Sequence, residues 1–258
     1  MSRTPINAVG PHPHGSRSAT RFARAALGLR TLPVAVAIFR KDVRTEVRTR
    51  QMVSSMFVFA VLVLLVFNFT LFPDEIRAIE LGPGILWVAF VFAATLGLNR
   101  SFAIEGENRC LSGLMLAPAP RSAIYFGKLL SNVLFMVAME IFVLPLFVVF
   151  FNLSPWDLLA PSEIGTFFLV LFLGTVGYAA VGTILAAVAS NTTMREVLLP
   201  VLLFPVAVPI VIGAAESTRL LFDENPLTSP WIWIRVLLVF AAVFLVVSWL
   251  TFEYVIEE

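Results

Sequence analysis

Apolar and polar positions fall into long blocks along this chain rather than alternating. Apolar runs occupy 52–72, 84–103, 123–151, 163–189, 196–214 and 231–254, broken by short polar or proline-containing links. Each run approaches or exceeds the ~20 residues that a helix needs to cross a hydrocarbon core about 30 Å thick. The absence of period-two alternation argues for helices over a lipid-facing barrel. The pattern therefore predicts an all-α integral membrane protein with six spans forming one domain over 33–258. The third run is long enough to tilt or to project beyond the bilayer at its Lys128 end.

Two shorter segments carry a different pattern. In 33–50, Val36, Phe39, Val43 and Val47 recur at helical spacing beside Arg40, Lys41, Arg44 and Arg48. That predicts an amphipathic helix in the headgroup layer, its long cationic side chains reaching for phosphates. The segment 104–120, between spans two and three, carries Leu111, Leu114 and Met115 on one helical face behind Glu105, Gly106 and Glu107, and closes with Pro118 and Pro120. Such a stripe on a short helix needs a cover: either the protein's own membrane surface or a groove on a soluble partner. Residues 1–32 show no apolar periodicity and read as a basic, disordered tail; their lack of acidic residues also fits a targeting segment.

Composition agrees with the pattern. Of 258 residues, 59% are hydrophobic and 14% charged, and mean hydropathy is +0.92, against about 45–50% apolar in soluble domains. The net charge of +1 matters less than where the cations lie, since ten of the eighteen Lys and Arg residues precede residue 51. Arg100, Arg109, Arg121 and Lys128 follow around 104–120, and Arg195 lies after the fourth span. Only Arg77, Arg219 and Arg235 fall on the opposite side. The positive-inside rule then places both termini and 104–120 in the cytoplasm of a cell inner (plasma) membrane protein.

Candidate chemistry is sparse. One cysteine, Cys110, excludes an internal disulfide framework, and both histidines, His12 and His14, precede the first span. Gly127-Lys128 resembles the end of a phosphate-binding loop, but Ser122 and Leu129 stand where that motif needs Gly and Ser or Thr. The chain reads as non-catalytic, with no nucleic-acid partner. Glu140 is the sharpest single residue. An ionised carboxylate in the middle of a span costs several kcal/mol, so it marks either a gating or relay site or a hydrogen bond to a neighbouring helix. Pro200, Pro205 and Pro209 each remove a backbone donor from the fifth span and make it a candidate hinge. The glycines of the fourth span, Gly174, Gly177 and Gly182, read as helix-packing positions.

Several stretches together resemble a known family. Glu105-Gly106-Glu107, then Leu111, Leu114 and Pro118, then Gly127-Lys128-Leu129, follow the order common in ABC exporter permeases that lack their own ATPase. Gly82-Pro83-Gly84-Ile85-Leu86-Trp87-Val88, the Leu111 to Pro120 stretch and the proline-rich fifth span resemble CcmB, haem exporter protein B of cytochrome c maturation. Before the leucines this chain has Asn108-Arg109-Cys110-Leu111-Ser112, where CcmB proteins tend to an acidic-Gly-Ser-Leu-Glu stretch.

The resemblance implies a permease subunit that forms a homodimer and joins a CcmA-like ATPase, with CcmC-like and CcmE-like proteins as further partners. It also implies that 104–120 couples the ATPase, that ATP binds on that partner, and that haem is handled by the other subunits, with no cofactor bound here directly. The alternative is the permease of another ABC exporter for a drug, lipid or polysaccharide. A third reading, an intrinsic membrane enzyme using Glu140, predicts activity without any ATPase.

Overall fold

The structure, a computed structural model, describes residues 16–71, 75–107, 121–153, 159–190, 194–223 and 228–255, with 192 and 226. Side chains are described within these from residue 31 to 252, except at 72–78, 103–107 and 195. Seven helices make up the described residues: α1 Ser16–Thr49, α2 Gln51–Leu71, α3 Glu75–Glu107, α4 Arg121–Phe150, α5 Ile164–Ser190, α6 Arg195–Phe222 and α7 Trp231–Val255. Six of them, α2 to α7, are long and apolar enough to cross a membrane. The predicted all-α architecture with six spans is what the chain adopts.

The two central helices are α3 and α5, whose membrane windows are 72% and 67% buried, while α2 and α7 are 22% buried and lie at the periphery. Lipid tails are as apolar as leucine, so spans associate through close packing and interhelical hydrogen bonds rather than through the hydrophobic effect. The contacts fix which helix ends share a face. Arg100 of α3 donates to the Gln51 carbonyl at the start of α2 (3.1 Å), and Tyr125 near the start of α4 packs on Phe252 near the end of α7. At the opposite face, Asn68 of α2 donates to the Phe150 carbonyl at the end of α4, and Phe167 of α5 stacks near Phe222 of α6.

The helix ends are built by local chemistry. At the end of α4, Leu153 N bonds Val148 O (3.0 Å) and Asn152 N bonds Val149 O (3.2 Å), with Asn152 left-handed at φ 51°. These two bonds form a Schellman cap, and asparagine tolerates that conformation. At the α1–α2 elbow Arg50 takes the left-handed position instead, φ 52°, and its N–H bonds Glu46 O at 2.6 Å. Arg50 has no oxygen with which to cap α2. Glu46 reaches across, and its Oε1 accepts the Val53 N–H at 2.9 Å, satisfying a donor that the α2 N-terminus leaves open. A non-glycine residue in the left-handed region is strained by ~1 kcal/mol. Arg50→Gly is therefore expected to raise the thermal unfolding temperature of the purified protein; a fall would show that the arginine side chain contributes more than its backbone costs.

Four expectations from the sequence meet the structure differently. The helix α1 begins at Ser16, inside the stretch read as a tail, where Ala, Leu and Arg are good helix formers. The second span, read as starting at 84, belongs to a helix that already begins at Glu75, so Gly82 and Pro83 lie within α3. The proline removes one backbone donor from α3 without ending the helix.

The fifth span does not stop at 214, since α6 continues to Phe222. There Ser217 and Thr218 return their hydroxyls to the Gly213 and Ala214 carbonyls (2.7 and 2.8 Å), and Arg219 pairs with Glu216 one turn back at 2.9 Å.

Finally, the inward face of α1 is Ala35, Ile38 and Glu46, with Asp42 nearly buried beside Lys128. Of the predicted stripe, Val36 and Val47 are exposed while Phe39 and Val43 are half-buried.

Candidate functional site

Among the described residues, two of the buried polar sites lie on α4. The first is Glu140, 5% exposed. The Thr175 hydroxyl of α5 donates to its Oε1 at 2.6 Å. One turn further along α5, the Tyr178 hydroxyl lies 2.7 Å from Thr95 Oγ1 and 3.1 Å from the Val91 carbonyl of α3, which Thr95 also meets at 2.7 Å. The pair Glu140–Thr175 and the cluster Thr95–Tyr178 thus join α4, α5 and α3 by polar contacts worth having only where water is excluded.

A cavity of about 10 Å³ opens among these groups, bounded by Glu140, Thr175, Tyr178, Trp87, Met136 and Ile210 together with neighbouring apolar residues. That is about the space one water occupies. No cation lines it. Gly174 is what lets Trp87 in, because a Cβ at 174 would strike Cη2 of the ring. The indole Nε1 donates to Thr218 Oγ1 of α6 at 3.0 Å, and Phe90 meets the ring edge-on at 5.7 Å. The extension of α6 beyond 214 therefore supplies the acceptor for the buried tryptophan. Gly182 performs the same service for Leu98. As packing positions, Gly174 and Gly182 are as the sequence predicts.

The second site is Lys128, 2% exposed and three turns from Glu140 towards the α1 face. Its Nζ lies 3.0 Å from Asp42 Oδ2 of α1 and donates to the Ser101 carbonyl of α3 at 3.4 Å. The Phe102 ring centroid is 5.5 Å away, within cation–π range. The other carboxylate oxygen, Asp42 Oδ1, lies 3.2 Å from Lys41 Nζ. Beside the lysine, Gly127 leaves room for α1: a Cβ there would sit 2.9 Å from the Ala35 carbonyl and from Ile38 Cβ. Asn132, one turn on, donates to Thr183 Oγ1 at 3.0 Å, and its own Oδ1 is buried without a hydrogen bond. The Gly127-Lys128 pair, which imitates a phosphate loop in sequence, is where the N-terminal helix docks.

The structure separates the predicted site residues. Glu140 is central. Pro200, Pro205 and Pro209 lie within an unbroken α6, with Pro205 and Pro209 on its exposed side. The carbonyls of Glu196, Val201 and Pro205 lose their helical donors to these prolines. Glu105, Gly106 and Glu107 form the last turn of α3. Leu111, Leu114, Pro118 and Pro120 lie outside the described residues. Among the described residues no group of three or more His, Cys, Asp or Glu side chains is placed to hold a metal.

With that arrangement in hand, comparison with known proteins is decisive at the level of family. The family described as CcmB protein matches residues 33–257. The chain belongs to the CcmB family. Heme exporter protein B of Rhodobacter capsulatus is 29% identical over 183 residues, covering 71% of this chain and 81% of that one. The proteins of the same name from Bradyrhizobium diazoefficiens and Pseudomonas aeruginosa are 27% and 24% identical over 198 residues, each covering 76% of this chain and 86% of its own length. Family membership begins at residue 33, so it includes the docked part of α1. Together with the six apolar helices, membership makes this a multi-pass membrane protein. Sequence reasoning found Glu140 but missed Asp42 and Lys128 as a pair. The available signal was a lysine seven residues inside a hydrophobic helix, which demands a counter-charge.

Proposed function

We propose that this chain is the membrane subunit of an ABC-type haem exporter complex, coupling ATP hydrolysis by a separate CcmA-like ATPase to release of a haem-loaded chaperone during c-type cytochrome maturation. The observation that carries this reading is the match to CcmB over nearly all of the membrane region, with relatives named as heme exporter protein B. The segment 104–120, which begins in the last turn of α3 and ends just before α4, is the ATPase-docking element. The cation distribution supports an inner-membrane topology with both termini and this segment in the cytoplasm, and the complex contains two copies of this chain.

Haem is handled by CcmC-like and CcmE-like partners rather than bound here. No histidine follows residue 14, so the membrane region has no imidazole to offer as an axial ligand. The cavity at Glu140 has room for about one water and none for a macrocycle. Glu140 serves instead as a gating group, and the three prolines of α6 form a hinge.

A strain lacking this chain is expected to lose haem-stained c-type cytochromes and to accumulate haem-loaded chaperone. Normal c-type cytochromes in that strain would overturn the haem reading. Glu140→Gln keeps the shape and the oxygen that Thr175 contacts while removing the ionisable group. It is expected to leave assembly intact and lower coupled turnover by about tenfold, the scale of a typical coupling energy between sites. Unchanged turnover would reduce Glu140 to an interhelical hydrogen-bond partner.

A further inference from the structure

Asp42, Lys128 and Ser101 come from three separate stretches of the chain, and they meet at one buried ammonium. Lys128 lies in the second turn of α4, just after the coupling segment, and Ser101 lies in the last two turns of α3, just before it. The lysine therefore touches both arms from which 104–120 hangs, and its ion pair reaches a third element, α1. Gly127 brings the α1 backbone close enough for Asp42 to be reached, and Glu46 fixes the far end of α1 to α2.

We propose that Lys128 is a positioning residue for ATP coupling: with Asp42 and Ser101 it forms a clasp that makes α1 and both arms of the coupling segment move as one body. This rests on the reading of 104–120 as the ATPase-docking element.

The choice of chemistry supports a role beyond cohesion. A buried ion pair is weak as a stabiliser, because desolvation offsets the attraction, and a well-packed apolar pair of similar size holds two helices as well or better. What it supplies is register: Asp42 sits 3.0 Å from an ammonium only 2% exposed, and moving the two apart weakens a charge pairing that water cannot replace there. A directional clasp of this kind carries displacement of α3 and α4 to α1.

The test uses the intact complex, co-expressed with its ATPase and purified in mild detergent. It reads both the ATPase retained and the phosphate released per retained ATPase. Lys128→Met and Asp42→Asn are each expected to lower ATP hydrolysis about tenfold, and Lys128→Arg to retain most of it. The double variant Asp42→Leu/Lys128→Met replaces the ion pair by an apolar contact that folds as well as the original. It is expected to recover yield and ATPase retention while hydrolysis stays about tenfold low. It also decides the matter should a single variant fail to accumulate.

Wild-type hydrolysis in the double variant, or in both single ones, would show the clasp to be packing alone and would overturn the proposal. Absence of any ATPase from the unmodified complex would instead remove the docking reading and the proposal with it.

Discussion

Gly174→Val is expected to lower the yield of folded protein sharply. Trp87 fills the space beside Gly174 so closely that even a bare Cβ would overlap Cη2 and lie 2.7 Å from Cζ3. The cavity beside the ring, about 10 Å³, is too small to take a displaced indole. The ring is 2% exposed, held by Thr218 at one edge and by Phe90 at another. Overpacking a filled interior costs ~1–3 kcal/mol, and a broken Trp87–Thr218 bond adds about 1 kcal/mol. Within a bilayer no hydrophobic gain between helices compensates, since packing is itself what holds spans together. The expected result is a marked fall in folded yield and in unfolding temperature in detergent. Trp87→Leu in the same chain is expected to recover part of the loss, because the two residues compete for one volume. A Gly174→Val protein as stable as the parent would contradict the α3–α5 packing described here.

Leu111→Asp with Leu114→Asp is expected to abolish ATPase binding while all six spans still insert. Apolar anchors of an interface commonly cost 2 kcal/mol or more each when lost. Two of them amount to roughly a thousandfold in affinity, enough to empty a pull-down. Neither residue lies in a membrane run, so insertion, followed by a fluorescent C-terminal fusion, is expected to stay near the parent level. A complex that purified whole with full ATP hydrolysis would remove the docking role from 104–120.

The spans were legible because each needs a long apolar block, and a block is visible without knowing what it packs against. Directions were not legible. Val36, Phe39, Val43 and Val47 identify a periodic stripe, but lipid and bundle interior are both apolar, so periodicity cannot say which one a stripe meets. The structure turns Asp42 and Glu46 inward on α1, where each has a partner from a different helix.

The end of α6 was hidden for a related reason. Glu216, Ser217, Thr218 and Arg219 look like a polar link, yet Ser217 and Thr218 bond their own helix and Glu216 pairs with Arg219. Glu140 could be singled out from sequence because charge inside an apolar run is conspicuous. Its partner Thr175 is 35 residues away, and only the α4–α5 packing brings it within 2.6 Å. Gly127-Lys128 shows the same limit. As a motif it was recognisable, but its physical content, a gap for α1 and a cation for Asp42, appears only once three helices are in place.

The central claim is that this chain works as the membrane part of an ATP-driven haem-handling complex. Its most direct test is affinity purification of the tagged protein from its native membrane in mild detergent, with every co-purifying chain identified. The expected result is a CcmA-like ATPase together with CcmC- or CcmE-like proteins. Recovery of an ATPase without those partners would contradict the haem assignment, and recovery of no ATPase would contradict the coupling account altogether.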